Sequence, residues 1–330
     1  MICPGPGKSG TTLLHFIFQH CPGFVGPTGG KELGYFLSKQ TKTYESCFEP
    51  GDSATVYFEF CPTYMATKTR AGIAQIARRI KASAPKAKIL FAIRHPLYRA
   101  VSHYVHLMQE FSRFGIEGYS PAHRNLAMPY PLTFEQTVAT NPVVGSVLAE
   151  MVEVYFEEFE PQQCAFFFLE HDVKNFGSFY KRLRRLFLLA PDSAWEERSI
   201  PRVLEGSSMP QYFYGGESGC VLQLPDRSVK LPAYCLYIAC DRGHELLKGV
   251  DPFTARGLLG AQEYWTTDFD ADLMLRVYQQ HICENLTRFL ALIRDHEDFG
   301  RCPDYLSWRI EGRKIKRAQP SYKFLSDQLS

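Results

Sequence analysis

The sequence is short of several things that would name a class at once. Lys plus Arg number 37 against 35 Asp plus Glu, a net charge of +2. There is then no global field for gripping nucleic acid or an anionic membrane, and any basic site must be local. The ten cysteines include no C-x-x-C pair and no repeated spacing, which excludes a zinc ribbon, a redox dithiol and a small disulfide scaffold. The longest apolar runs, 164–169 and 89–93, are of strand length, far below the roughly 20 residues a membrane helix needs. No basic n-region with an apolar h-region precedes the first glycine-rich loop, so no secretory signal is read. That leaves a cytoplasmic protein, or a Golgi-lumenal one if a membrane anchor has been removed. Internal repeats and low-complexity tracts are absent.

What is present is a globular composition, 330 residues with 45% hydrophobic and 14% aromatic, enough for a sizeable packed core. Strand-like and helix-like segments alternate. Residues 1–4 read as a strand stub, 10–20 as a helix stopped by Pro22 and Gly23, and 55–60 as a β-rich run. A helix over 67–83 carries Ile73, Ile76, Ala77 and Ile80 at helical spacing and leads through Pro85 into the strand Ile89 to Ile93. A helix opening at Pro96 shows Val101, Tyr104, Val105 and Met108 on one face. Helix 147–159, strand 164–169 and helix 175–189 repeat the alternation, and a last helix is expected over 271–294. Strand, helix, strand in this order requires parallel pairing with right-handed crossovers. The expected fold is a single α/β domain of three layers, with a P-loop-like central parallel sheet flanked by helices. Its nucleotide-binding core would be 1–190. Segments 111–132 and 191–270, rich in Gly and Pro, would be substrate walls or a lid. Residues 301–330, with seven Lys/Arg against three Asp/Glu, read as a solvated basic extension. Cys220, Cys235 and Cys240 cluster where a disulfide would serve as a staple.

Two segments carry chemistry. Pro4-Gly5-Pro6-Gly7-Lys8-Ser9-Gly10-Thr11-Thr12 lies between a strand and a helix. Such a loop turns backbone N–H groups and a helix N-terminus toward an anion, while a lysine and hydroxyls add charge and donors. A plain glycine turn is the structural alternative. The nucleoside-triphosphate loop G-x-x-x-x-G-K-[ST] would require glycine where Ile2 stands, so that motif fails. The second segment, Arg94-His95-Pro96-Leu97-Tyr98-Arg99-Ala100-Val101-Ser102, starts at the carboxyl end of a strand, where open α/β sheets bind ligands. Ser102 falls two helical turns beyond Arg94, and the pair could hold a second phosphate.

Together these segments resemble the PAPS-dependent sulfotransferase family, PAPS being 3'-phosphoadenosine 5'-phosphosulfate. In that family a P-K-S-G-T-T type loop binds the 5'-phosphosulfate and an R-x-P-x-x-R-x-x-S segment the 3'-phosphate. Lys31-Glu32-Leu33-Gly34-Tyr35-Phe36 is similar to the K-E-x-x-[YF]-F segment of the carbohydrate and heparan-sulfate-type branch. Glu59-Phe60-Cys61-Pro62-Thr63-Tyr64 resembles that branch's E-K-[ST]-P-x-Y, and 273–286 its late helix. The resemblance implies PAPS as co-substrate and no metal. Pro6, Gly7, Lys8, Ser9, Gly10, Thr11, Thr12, Arg94 and Ser102 would be cofactor-binding, Lys8 the catalytic cation and Glu32 the catalytic base. The acceptor would be a saccharide or another small polar molecule, touched by Lys31, Arg113, His123, Arg124 and Tyr130, with no nucleic-acid partner. This sequence departs from the family at Phe60, where the branch has a lysine, and at 260–268, where a K-G-R loop would stand.

Two rival classes stay open. A nucleoside-triphosphate kinase would use Lys8 and Ser9 with magnesium and take Asp172 as the metal-binding acid. A PAPS-binding module without turnover is the other. Several residues carry plainer expectations: His15, His20 and His281 as core-edge or surface histidines, and Lys181, Arg182, Arg184 and Arg185 as a solvated charged face. Asn285-Leu286-Thr287 is a glycosylation sequon inside a packing helix.

Overall fold

A computed structural model describes residues 1–38, 40–51, 55–66, 69–114, 134–145, 148–189, 212–214, 220–223, 228–231, 237–238, 264–266 and 271–306. The elements are β1 (Ile2–Gly5), α1 (Thr11–Phe18), β2 (Phe24–Val25), β3 (Val56–Tyr57), β4 (Glu59–Phe60), α2 (Arg70–Ser83), β5 (Ile89–Ile93) and α3 (Pro96–Phe114). These are followed by α4 (Phe134–Thr140), α5 (Leu148–Glu158), β6 (Cys164–Phe168) and α6 (Phe176–Leu186). Five short strands come next, β7 (Tyr212–Tyr214), β8 (Cys220–Gln223), β9 (Ser228–Leu231), β10 (Tyr237–Ile238) and β11 (Tyr264–Thr266), paired antiparallel in two small sheets. The last helices are α7 (Ala271–Val277) and α8 (Cys283–Leu292).

The central sheet has the order β4-β1-β5-β6 and every pairing in it is parallel. The all-apolar run Ile89 to Ile93 becomes the inner strand β5, buried at each of its five residues, as a strand covered on both faces must be. It pairs with β6 without a slip, Ile89 opposite Cys164 through to Ile93 opposite Phe168. Alternation along the strands then builds two cores. Ile2, Ile89, Phe91, Ile93, Phe166 and Phe168 face one layer with Ile73, Ile76, Ala77 and Ile80 of α2 and Tyr155 of α5. Cys3, Phe60, Leu90, Ala92, Ala165 and Phe167 face the other, with Leu14, Ile17 and Phe18 of α1 and Phe179 and Leu183 of α6. The expected three-layer α/β architecture is therefore the observed one. Among the described residues no helix is long and apolar enough to cross a membrane.

Several boundaries differ from those read in the sequence. The run 55–60 divides into β3 and β4, which pair in different sheets. Helix α2 starts at Arg70, because the Thr69 side chain caps it by accepting the Gly72 N–H at 3.1 Å. Residues 111–114 continue α3 rather than opening a loop. The single helix expected over 271–294 is interrupted by a π turn at Tyr278–Ile282. The extra residue in that turn lets Tyr278 stack on His95 while Val277, Ile282, Leu286 and Phe289 stay buried. Residues 191–211, 241–260 and 307–330 lie outside the described residues, as do the thiols of Cys220, Cys235 and Cys240.

The outer edge of β6 is closed by side chains. Asp298, fully buried, accepts the Phe166 N–H at 2.8 Å, and Asp172 accepts the Phe168 N–H at 2.7 Å. Arg301 donates to the Phe166 carbonyl at 2.8 Å and pairs with both aspartates, while Arg182 pairs with Asp298 and Glu297. An edge strand left bare would recruit another chain. This edge is satisfied by a charged network instead of a neighbouring strand. The charged face expected over 181–185 is corrected accordingly: Arg182 belongs to the network, and Arg184 is buried, donating to the Tyr180 hydroxyl at 2.9 Å and the Pro22 carbonyl at 3.2 Å. Lys181 and Arg185 are exposed.

Removing one member of a buried charged network leaves its partners desolvated and uncompensated, at a cost of about 3–5 kcal/mol. Asp298→Ala should therefore lower the urea midpoint far more than Glu297→Ala, whose side chain is two-thirds exposed. Equal shifts would remove Asp298 from this role.

Candidate functional site

All four parallel strands present their carboxyl ends on one side, and the two chemistry-bearing segments begin there. Between β1 and β5 the register runs from Ile2 opposite Ile89 to Gly5 opposite Phe91, an irregularity of one residue. Such a bulge re-aims the chain where a strand ends, here at the entrance of the phosphate-type loop. Gly5 has φ +125° and Gly10 φ +90°, and Lys8, which is not glycine, has φ +65°. A side chain in the left-handed region costs about 1 kcal/mol and persists only where the surroundings impose it. A Cβ on Gly10 would meet Leu169 at 2.8 Å, and one on Gly5 would meet the Pro62 backbone at 3.1 Å. The loop is thus wedged between the chain leaving β4 and the chain leaving β6.

Helix α1 starts at Gly10 with no side-chain cap, so the N–H groups of its first turn are not satisfied by a cap in the manner usual for helices. Ser9 is fully buried and its Oγ has no hydrogen-bond partner among the described residues. Thr11 is buried and Thr12 exposed. Unsatisfied buried donors beside a helix N-terminus suit an anion. Pro6, Gly7, Lys8, Ser9, Gly10 and Thr11 follow one another in a single loop that ends on the uncapped start of α1.

Arg94 follows β5 directly and donates to the Lys8 carbonyl at 3.4 Å across 86 residues of sequence. The second segment thus meets the first. Burial pulls the Arg94 guanidinium below its ordinary value, with Glu170 opposing. Arg99 is buried deeper and donates to the Val144 carbonyl at 3.0 Å. Burial, with the like charge of Arg94 beside it, brings Arg99 down to about 10. The charge of Arg94 thus adds to burial at Arg99, while Glu170 offsets the charge of Arg94 itself. Ser102 lies half-buried on α3, with no hydrogen bond to the loop among the described residues.

Glu32 and Lys31 come from the segment after β2. They form an ion pair at 2.7 Å with side-chain exposures of 41% and 19%, and the Thr63 hydroxyl donates to Glu32 at 3.5 Å. Thr63 follows Pro62, the residue against which Gly5 and Gly7 pack, so the pair stands on the same side as the loop. Phe60, where the resembling branch has lysine, is fully buried and packs on His15, Phe18 and Phe58. A lysine there would point into the α1 core, beside His15, which feels the charge of Lys31. Arg113 lies in the last turn of α3; its side chain, together with His123, Arg124 and Tyr130, lies outside the described residues. The strand β11 falls within the 260–268 segment, whose remainder is likewise not described.

Some contributors received no role from pattern reading. Glu59 is fully buried in β4, and its signal is a lone acid inside the apolar run 56–60. Glu170 accepts the His95 N–H and the Tyr305 hydroxyl, both at 2.9 Å, tying the second segment to the chain after α8. Asp172, the metal-binding acid of the kinase alternative, is corrected here. Its carboxylate is buried and committed to the Phe168 N–H, His171 and Arg301. Asn285 of the sequon is also occupied, accepting the Ala149 N–H at 3.0 Å and donating to Glu150.

No protein-family model and no curated protein sequence matches this chain. Solved structures do align with part of it. One is a sulfotransferase from Alicyclobacillus acidocaldarius, at 18% identity and TM-score 0.43, covering 61% of this chain and 85% of that one. Another is the sulfotransferase domain from the curacin biosynthetic pathway, at 12% identity and TM-score 0.39, covering 60% and 77%. A third is mouse sulfotransferase SULT7A1 complexed with PAP, at 15% identity and TM-score 0.33, covering 59% and 58%. Likeness at this level leaves the functional reading to the residues.

Buried imidazoles, two of them beside the site and one at the β6 edge, set an acid limit. His15 packs edge-on against Phe58 and Phe60; burial, helped by Lys31 and opposed by Glu32, brings it down to about 4. Burial also brings His95 down to about 3 and lowers His296. Each has a folded pKa below its unfolded one. The unfolded chain therefore takes up protons first as pH falls through about 6.5, at about 1.4 kcal/mol per pH unit for each histidine. Their contribution is complete above that value and is lost toward pH 4. Glu59, raised by burial, acts in the opposite sense. Denaturant midpoints at pH 7.5 and 5.5 should show a clear loss at the lower pH, smaller in His15→Phe. A pH-independent midpoint would contradict this balance.

Proposed function

We propose that the chain is a sulfotransferase that moves a sulfuryl group from PAPS to a hydroxyl, or an amine, of a saccharide-like or small polar acceptor. The observation that carries the reading is the meeting of Arg94 with the Lys8 carbonyl. It supports one ligand bearing anionic groups at two places, as a 3',5'-bisphosphorylated nucleoside does. Ser9 and the uncapped start of α1 suit the 5' group, and Arg94 with Ser102 the 3' phosphate.

In this reading the bound nucleotide supplies an activated sulfuryl group. The S–O bond to the leaving phosphate breaks as a bond from sulfur to the acceptor oxygen forms, giving a sulfate ester, the 3',5'-bisphosphate and one proton. Lys8 and the 7–12 amides stabilise the charge gathering on the leaving phosphate, as fixed dipoles and cations do in phosphoryl transfer. Glu32, ion-paired with Lys31, takes the acceptor proton as general base. The kinase alternative loses its metal-binding acid, because Asp172 is spent on the β6 edge.

A thermal-shift titration with 3'-phosphoadenosine 5'-phosphate, beside AMP and ATP with magnesium, tests the reading. At 100 times its dissociation constant a ligand adds about 2.7 kcal/mol, several degrees in midpoint. Only the 3'-phosphorylated nucleotide should stabilise, without metal; stabilisation by ATP with magnesium alone would return the kinase reading. Arg94→Ala should weaken that binding by about tenfold or more, since one charge-assisted contact is worth roughly 1.5–3 kcal/mol. Glu32→Gln should leave binding intact and depress release of the bisphosphate from PAPS across a panel of hydroxyl-bearing saccharides. Binding without turnover on any acceptor would identify an inactive module.

A further inference from the structure

Resting on the sulfuryl-transfer reading, the next question is what holds Glu32 in place. Its own ties are one ion pair with its neighbour Lys31 and one long hydrogen bond from Thr63, and exposed pairs of this kind contribute little. The 31–37 segment has a single 3-10 turn at Tyr35–Leu37, entered through Gly34 at φ +63°, and one backbone bond of its own, Leu37 N–H to the Gly34 carbonyl. Its fixed points come from elsewhere.

Arg79 of α2 holds its far end, donating to the Phe36 carbonyl at 3.0 Å and the Leu37 carbonyl at 2.8 Å; on the side nearer Glu32 the ties converge on Glu59. Alternation in β4 turns Phe58 and Phe60 toward α1, so Glu59 points to the opposite layer, beneath this segment. There its carboxylate accepts the Tyr64 hydroxyl at 2.7 Å and the Tyr44 hydroxyl at 2.9 Å, and the Leu33 and Gly34 amides lie close enough to favour its charged form. The Tyr64 hydroxyl in turn accepts the Phe36 N–H at 3.3 Å. Four donors and no acceptor surround the carboxylate, a lining for its ionised form. An acid at 0% exposure between two phenylalanines is an expensive way to build a core, which an apolar residue would fill at less cost. We propose that Glu59 is the positioning residue of the site, anchoring the amides of Leu33 and Gly34 so that the adjoining Glu32 and Lys31 are held against Thr63 beside the phosphate loop. Tyr44 and Tyr64 act through it, fixing the carboxylate that fixes the turn.

The test uses Glu59→Gln in the full chain. The amide keeps the volume but brings two N–H donors into a ring of donors, so at least one of the four loses its acceptor. Hydrogen exchange at Leu33 and Gly34 should accelerate by about tenfold or more. Release of 3'-phosphoadenosine 5'-phosphate from PAPS should fall by about tenfold or more, while affinity for that bisphosphate stays within about twofold. Unchanged exchange at 33–34, or equal losses in turnover and nucleotide affinity, would overturn the proposal, the second by showing a general structural role. If the variant does not fold, Tyr44→Phe, which removes one peripheral donor, should give the same split at smaller amplitude, and no split there is equally decisive. Should the wild type fail to bind the bisphosphate, the sulfuryl-transfer reading falls, and the exchange measurement still decides whether Glu59 anchors the turn.

Discussion

Parallel pairing of β1 with both β4 and β5 is the constraint from which the site follows. Parallel strands emit their connections from the same edge, so Gly5, Phe60 and Ile93 each hand the chain over at the same place. The loop 6–10, the Pro62–Thr63 corner and Arg94 are then neighbours without any further design. Loss of the β1 register would separate Arg94 from the Lys8 carbonyl and the glycines from Pro62 together. The one-residue irregularity in that pairing falls where the backbone leaves the sheet. On either side of Lys8, which has a positive φ, the glycines of the loop pack closely against Pro62 and Leu169.

Legibility in the sequence tracked periodicity. Ile89 to Ile93 and the isoleucines of α2 were readable because burial on two faces or one stripe leaves an unmistakable pattern, and both match the structure. The meeting of the glycine-rich loop with Arg94 was foreshadowed by position, since each segment follows a strand of one parallel sheet. Contacts made across long sequence separations leave no such trace. Arg182 and Arg184 sit among Lys181 and Arg185, and composition alone could not divide buried from solvated members of that run. The π turn at 278–282 is a tertiary adjustment to His95 and Tyr305, which no local propensity encodes. Glu59 was quoted within a motif, yet its role depends on residues 33, 34, 44 and 64, which only the fold brings together.

Polar burial in this protein follows a common logic. The β6 edge, Asp172 and Asp298 with their arginines, and the Glu59 hub each place a carboxylate against backbone N–H groups that secondary structure leaves unmet. Charged groups inside a protein are seldom the most stabilising choice, but they accept only a matching set of donors and so fix a single arrangement. Around a site that must hold a loop and an ion pair in register, that selectivity has an evident use.

The closure of the β6 edge also has a temporal side. Phe166 takes its partners from Asp298 and Arg301, 132 and 135 positions later. At a synthesis rate of about 5–20 residues per second, on the order of ten seconds passes between the emergence of β6 and that of the side chains that cover it. During that interval the sheet can pair internally while its last strand still offers open N–H and C=O groups to any neighbouring nascent chain. The ribosome thus delivers the glycine-rich loop after β1 before the edge of its sheet is sealed, and holdase chaperones acting at that stage would find β6 the exposed target.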